Sequence, residues 1–132
     1  VIGIDTNVLV RYLAQDDEAQ SAAASQIIDG LSTELPGYIS QVVLVETVWV
    51  LVRSYKMPRA ALVEVIEMLL RTRELVIEGA EVGYLALATF RSSNADFSDA
   101  LIAHGGRLAG CRETVTFDRR AARATGMQLL DT

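Results

Sequence analysis

The chain has 132 residues, a formal net charge of −5, and 51% hydrophobic content. That length and apolar content exclude a disordered chain and predict one domain over residues 1–132 that buries its own core. The longest apolar stretch, Val42–Val52, is interrupted by Glu46 and falls far short of the roughly 20 residues of a membrane span, so no membrane partner is expected.

The single cysteine, Cys111, cannot form an internal disulfide, which fits a reducing, cytoplasmic setting. The sequence shows no charged-then-apolar leader with a cleavage site, so secretion is not expected. The negative charge does not exclude a nucleic-acid partner, because acids gathered on a cation would leave the remaining surface nearly neutral. Eleven of the twelve basic residues are arginine and Lys56 is the only lysine. The planar arginine fork suits phosphate, although composition alone could favour arginine.

Val1–Asp5 reads as a short buried strand, followed by a helix from Thr6 to about Leu13. Asp16, Asp17 and Glu18 place negative charge at the start of a second helix, which runs to about Ile28 and ends near Gly30. Tyr38–Ser40 is a strand after the Pro36-Gly37 turn. The run QVVLVETVWVLVRSYKM is rich in β-branched residues but too long for a strand, so it reads as a helix. Being apolar nearly all round, it is expected to be buried or covered by a partner. Pro58 suits the first turn of a helix reaching about Arg71. Leu75–Ile77 is a strand, Glu81–Arg91 a helix, and Ser98–Gly110 a helix ended by glycine. Thr114–Phe117 is a strand, Arg119–Ala124 a short helix, and Met127–Leu130 the strand that closes the sheet. This alternation predicts an α/β fold with a parallel sheet covered on both faces.

In such folds the functional crevice lies beyond the carboxyl ends of the strands. Asp5 ends the first strand, Asp118 follows the Thr114–Phe117 strand, and Asp99 lies in the first turn of the helix that begins near Ser98. Glu46 interrupts the apolar helix, where a lone ionised acid would be costly without a partner. Asp5 and Asp118 could equally be helix N-caps, and Glu46 could face solvent. Asp96-x-x-Asp99 resembles a capping pair, so one of the two is expected to be structural. Two carboxylates about 4 Å apart repel by about 4 kcal/mol at an effective dielectric of 20. Four together would therefore call for a divalent cation, and hard oxygen ligands select Mg²⁺ or Mn²⁺. His104 and Cys111 cannot build a zinc site, and His104 is expected to be a helix residue without catalytic duty.

The segments IDTNVLVRYL, VVLVETVWVL, ADFSDALIA and TVTFDRRAAR, in this order, resemble the PIN domain, and within it the VapC-like ribonuclease toxins of toxin–antitoxin pairs. The resemblance implies a three-layer α/β/α fold with a central parallel sheet. It also implies Mg²⁺-dependent cleavage of single-stranded RNA that leaves a 5′ phosphate and a 3′ hydroxyl. The implied acidic quartet is Asp5, Glu46, Asp99 and Asp118, with Asp5, Asp99 and Asp118 holding the cation and Glu46 orienting or deprotonating water. That quartet omits Asp96, which implies that Asp96 is the cap. Asn7 and Thr116 match supporting positions. Arg119, Arg120 and Arg123 could hold flanking phosphates or form a solvated helix face. A homodimer and a cognate antitoxin are the implied protein partners. A receiver domain would need a lysine after its last strand, and a haloacid-dehalogenase phosphatase would need Asp-x-Asp where Asp5-Thr6-Asn7 stands. The remaining alternative is a non-catalytic PIN-like module that binds RNA or protein.

Overall fold

The computed structural model describes residues 1–131, and among them the chain forms two compact units, Val1–Glu78 and Gly79 onward. The first unit contains β1 (Ile2–Gly3), α1 (Thr6–Ala14), α2 (Glu18–Asp29), β2 (Gly37–Ile39), α3 (Gln41–Arg53), α4 (Arg59–Arg71) and β3 (Leu75–Ile77). The second contains α5 (Ala80–Ser92), α6 (Phe97–Leu108), β4 (Val115–Thr116), α7 (Arg119–Thr125) and β5 (Gln128–Leu129). Among the described residues every strand pairing is parallel. The expected α/β class is thus present, with parallel strands joined through helices. Hydrogen bonding defines a three-stranded sheet, β1-β2-β3, and a two-stranded sheet, β4-β5, where the sequence suggested one sheet. Strands of two or three residues give each ladder few bonds through which to extend.

In the first unit β2 is the middle strand, and Ile39 is fully buried among a core that includes Leu9, Leu44, Leu51, Ile66 and Leu69. Gly37 permits close packing at the start of β2. A Cβ there would stand 2.8 Å from the Leu31 side chain, nearer than real Cβ contacts come. β1 lies at the edge of its sheet, which corrects the expectation of a buried strand: Ile2 is 47% exposed, and burial begins at Ile4.

α3 departs from expectation in the same direction. One face is buried through Leu44, Thr47, Val48 and Leu51, while Val42, Trp49 and Val52 remain exposed. A helix packed along one stripe cannot bury its whole circumference, however apolar its sequence. Arg53 lies over the exposed Trp49 ring at 5.3 Å, a cation–π contact that covers part of it. The start of α3 is well capped. Ser40 Oγ accepts the Val43 N–H, and Glu78 Oε1 accepts the Gln41 N–H, so two of the four orphan donors are satisfied.

The second unit packs α5 against α6 through Ala86, Leu87, Phe90, Phe97, Ala100 and Leu101, with Phe90 and Phe97 in an edge-to-face pair. Ala103, Ala121 and Met127 form a smaller apolar cluster that seats α7. Gly126, at φ 82°, ends α7 in the left-handed conformation that glycine adopts without strain.

Candidate active-site acids

Asp5 and Glu46 belong to the first unit, Asp99 and Asp118 to the second. Asp5 is the N-cap of α1, and its Oδ1 accepts the Thr6 N–H at 2.9 Å. Thr6 is itself buried, and its hydroxyl donates to Glu46 Oε1 at 2.7 Å. That bond ties the first turn of α1 to the middle of α3 and fixes one oxygen of Glu46. Glu46 is exposed on α3, so the cost of burying a lone charge does not arise; its partner is a hydroxyl reached from outside the core. The sequence marks Thr6 only as a helix start, and nothing local points to its bond with Glu46.

Asn7 is exposed on α1 and borders two clefts of the first unit. One, of about 530 Å³, runs between α1 and α2 and includes Arg11, Gln20 and Ile27. The other, of about 440 Å³, includes Arg11, Asp16, Val50 and Tyr55. None of the four acids lines either cleft, so their volumes do not mark the chemistry.

In the second unit Asp118 is the N-cap of α7, its Oδ1 accepting the Ala121 N–H at 3.0 Å. Thr116 Oγ1 accepts the Asp118 N–H at 3.0 Å and so shapes the turn that presents this acid. Asp99, in the first turn of α6, is partly buried and lies within reach of the charges of Asp96 and Asp118. Burial foremost, then the repulsion of Asp96 and Asp118, raises its pKa above the ordinary aspartate value, and Arg120 offsets only part of this.

Asp96 occupies the N-cap position of α6, but its side chain makes no cap hydrogen bond. Its Oδ1 instead lies 3.7 Å from Arg120 Nη2, which corrects the reading of Asp96 as a working cap. Arg120, expected with Arg119 and Arg123 near flanking phosphates, donates through Nε and Nη2 to the Asn94 carbonyl, at 3.1 and 2.6 Å. Arg119 and Arg123 are exposed.

Among the described residues, no three His, Cys, Asp or Glu side chains are gathered as a ready metal cage. The donor chemistry still suits a hard cation, because the acids are oxygen donors and Asp99 carries repulsion that a divalent charge would relieve.

A family model for the PIN domain matches residues 2–127. The chain belongs to the PIN domain family. PIN domains are mostly Mg²⁺-dependent nucleases, and the match takes in Asp5, Glu46, Asp99 and Asp118. No curated protein matches the chain. No helix of this PIN domain is long and apolar enough to cross a membrane, among the described residues.

Proposed function

We propose that this PIN domain is a Mg²⁺-dependent endoribonuclease that cuts single-stranded RNA, acting in the cytoplasm as the VapC-like toxin of a toxin–antitoxin pair. The observation that carries the reading is the state of Asp99. Asp99 is partly buried in the first turn of α6 and feels the charges of Asp96 and Asp118, so burial and then their repulsion raise its pKa, a penalty that a divalent cation would relieve. The family match across residues 2–127 supports treating the chain as one functional domain.

Asp5, Asp99 and Asp118 would hold Mg²⁺, with Mn²⁺ as a substitute. When bound, the cation supplies positive charge to the scissile phosphate and makes water more acidic. Glu46 orients the attacking water and takes its proton, and Thr6 holds one Glu46 oxygen so that the other faces the reaction. Thr116 fixes the backbone of Asp118. Asn7, two residues beyond Asp5 and exposed, supports substrate at the same end of α1. Arg119 and Arg123 hold flanking phosphates, which carries the salt dependence expected of phosphate contacts.

The exposed Val42, Trp49 and Val52 on α3 support a protein partner, in line with a homodimer and a cognate antitoxin. Cleavage of a single-stranded RNA should stop in EDTA and return with Mg²⁺ or Mn²⁺. Cleavage that survives exhaustive chelation overturns the mechanism. RNA binding without cleavage in saturating Mg²⁺ would instead identify a non-catalytic module.

A further inference from the structure

Arg120 is the second residue of α7, two positions after Asp118. Both N–H groups of one edge of its guanidinium converge on a single acceptor, the carbonyl of Asn94. Asn94 lies in the turn between α5 and α6, and that turn leads through Ala95 and Asp96 into the helix carrying Asp99. Ala95 is almost fully buried, and its N–H donates to Ser93 Oγ, so the turn has a defined shape for the arginine to grip. At the other end of the same helix pair, Arg107 donates to the Thr125 carbonyl, and Ala103 packs with Ala121 and Met127. Those contacts seat α7 from Ala121 to Thr125. The Arg120 bond is the tie at the end where Asp99 and Asp118 lie.

We propose that Arg120 is a positioning residue that braces α7 against the turn before α6, and so sets the separation of Asp118 and Asp99 for a divalent cation. The role rests on the proposed reading of these acids as metal ligands. Two features favour a brace over a phosphate contact. The fork is spent on a backbone carbonyl, and the nearby Asp96 at 3.7 Å would repel an incoming phosphate. A brace also differs from a mere counter-charge. A counter-charge weakens cation binding by repulsion, so its removal tightens that binding. A brace strengthens cation binding by keeping the ligands at a fixed spacing, so its removal loosens it.

The test is calorimetric titration of the whole chain with Mn²⁺ alone, without RNA, for the parent, Arg120→Lys and Arg120→Gln. Hydrogen exchange of the metal-free proteins over residues 93–98 is measured in parallel. Lysine keeps the charge but cannot place two N–H groups on one carbonyl in this planar geometry. Both variants should bind Mn²⁺ on the order of 10-fold more weakly, the usual cost of losing an outer-shell partner. Both should also exchange faster over residues 93–98. Parental affinity in Arg120→Lys with tighter binding in Arg120→Gln would show a counter-charge and overturn the brace. Unchanged Mn²⁺ affinity with weakened RNA binding would show a phosphate contact and overturn it too. A parent that binds no Mn²⁺ overturns the reading of the acids, and this role with it, whereas exchange unchanged by substitution overturns the brace alone.

Discussion

Capping a helix leaves Asp118 with oxygen to spare for the proposed cation. Its Oδ1 takes the Ala121 N–H, and an ionised carboxylate has a second oxygen and further lone pairs to offer. Asp5 likewise accepts the Thr6 N–H through one oxygen. The question of cap or ligand is therefore settled by charge, which asparagine removes while it keeps a capping oxygen. Asp5→Asn and Asp118→Asn should melt near the parental temperature without metal, yet lose cation binding and most RNA cleavage. Asp118→Ala should lose the same activity and about 1 kcal/mol of stability besides. Asp99→Asn, which removes a partly buried, repelled charge, should raise metal-free stability. Melts and cleavage on the same preparations check all four, and an Asp118→Asn protein that cuts RNA at the parental rate would remove Asp118 from the chemistry. The sequence drew attention to these acids because Asp5 and Asp118 follow strands, Glu46 interrupts an apolar run, and Asp99 stands in the first turn of a helix, three positions after another acid. The roles of Thr6 and Arg120 were not legible, because their bonds reach across 40 and 26 positions to groups that no local pattern marks.

Helices were legible where capping and periodicity agreed. α2 begins after Asp17, whose carboxylate accepts the Gln20 N–H, and ends at Gly30, as the acidic run and the glycine suggested. Pro58 proved to be the N-cap of α4, one position before the first turn. α3 was legible as a helix but not in its exposure, since a sequence apolar on every side does not say which stripe is packed. Thr47 sits on the packed stripe, fully buried, with no hydrogen-bond partner for its hydroxyl. An unmade buried hydrogen bond costs about 1–3 kcal/mol, so the near-isosteric Thr47→Val should raise stability by about 1 kcal/mol. A denaturant midpoint that falls in this variant would mean the hydroxyl has a partner in solution. α6 carries the pH response of the second unit. His104 Nε2 lies 2.8 Å from Thr89 Oγ1 on α5, and Nδ1 faces Arg107 at 3.4 Å. The neutral ring satisfies both by donating to Thr89 and accepting from Arg107. Burial first, and then the Arg107 charge, lowers its pKa below the ordinary histidine value of 6.5. The unfolded chain therefore takes up this proton before the folded one does. The stability that His104 contributes is whole above pH 6.5 and is lost as pH falls through the lower folded value. Melting temperatures followed from pH 7.5 to 5 should decline more steeply in the parent than in His104→Gln, and equal slopes would assign the response elsewhere.

For the molecule as a whole, alternation of helix and strand was enough to read the α/β class, because parallel pairing demands crossovers that only intervening helices supply. The division of the strands between two sheets was not legible, since strands of two or three residues leave almost no periodic signal. Net charge is the other global property with a consequence. At −5 the chain repels RNA at long range, and neutralising part of its acid by a bound cation would both seat the substrate and stabilise the fold. The second effect can be measured without any substrate. A cation that binds only the folded state stabilises it by about 2.7 kcal/mol when free cation is about 100 times Kd. For a chain of this size that corresponds to a rise in Tm on the order of 10 °C. Mg²⁺ should therefore raise the melting temperature of the parent well beyond KCl of equal ionic strength, and EDTA should reverse it. Asp99→Asn should start from a higher metal-free Tm and gain little from Mg²⁺, so the two proteins converge as the cation is added. A parent whose Tm responds to Mg²⁺ no more than to matched KCl does not hold the cation in the folded state, and the acids then need another explanation.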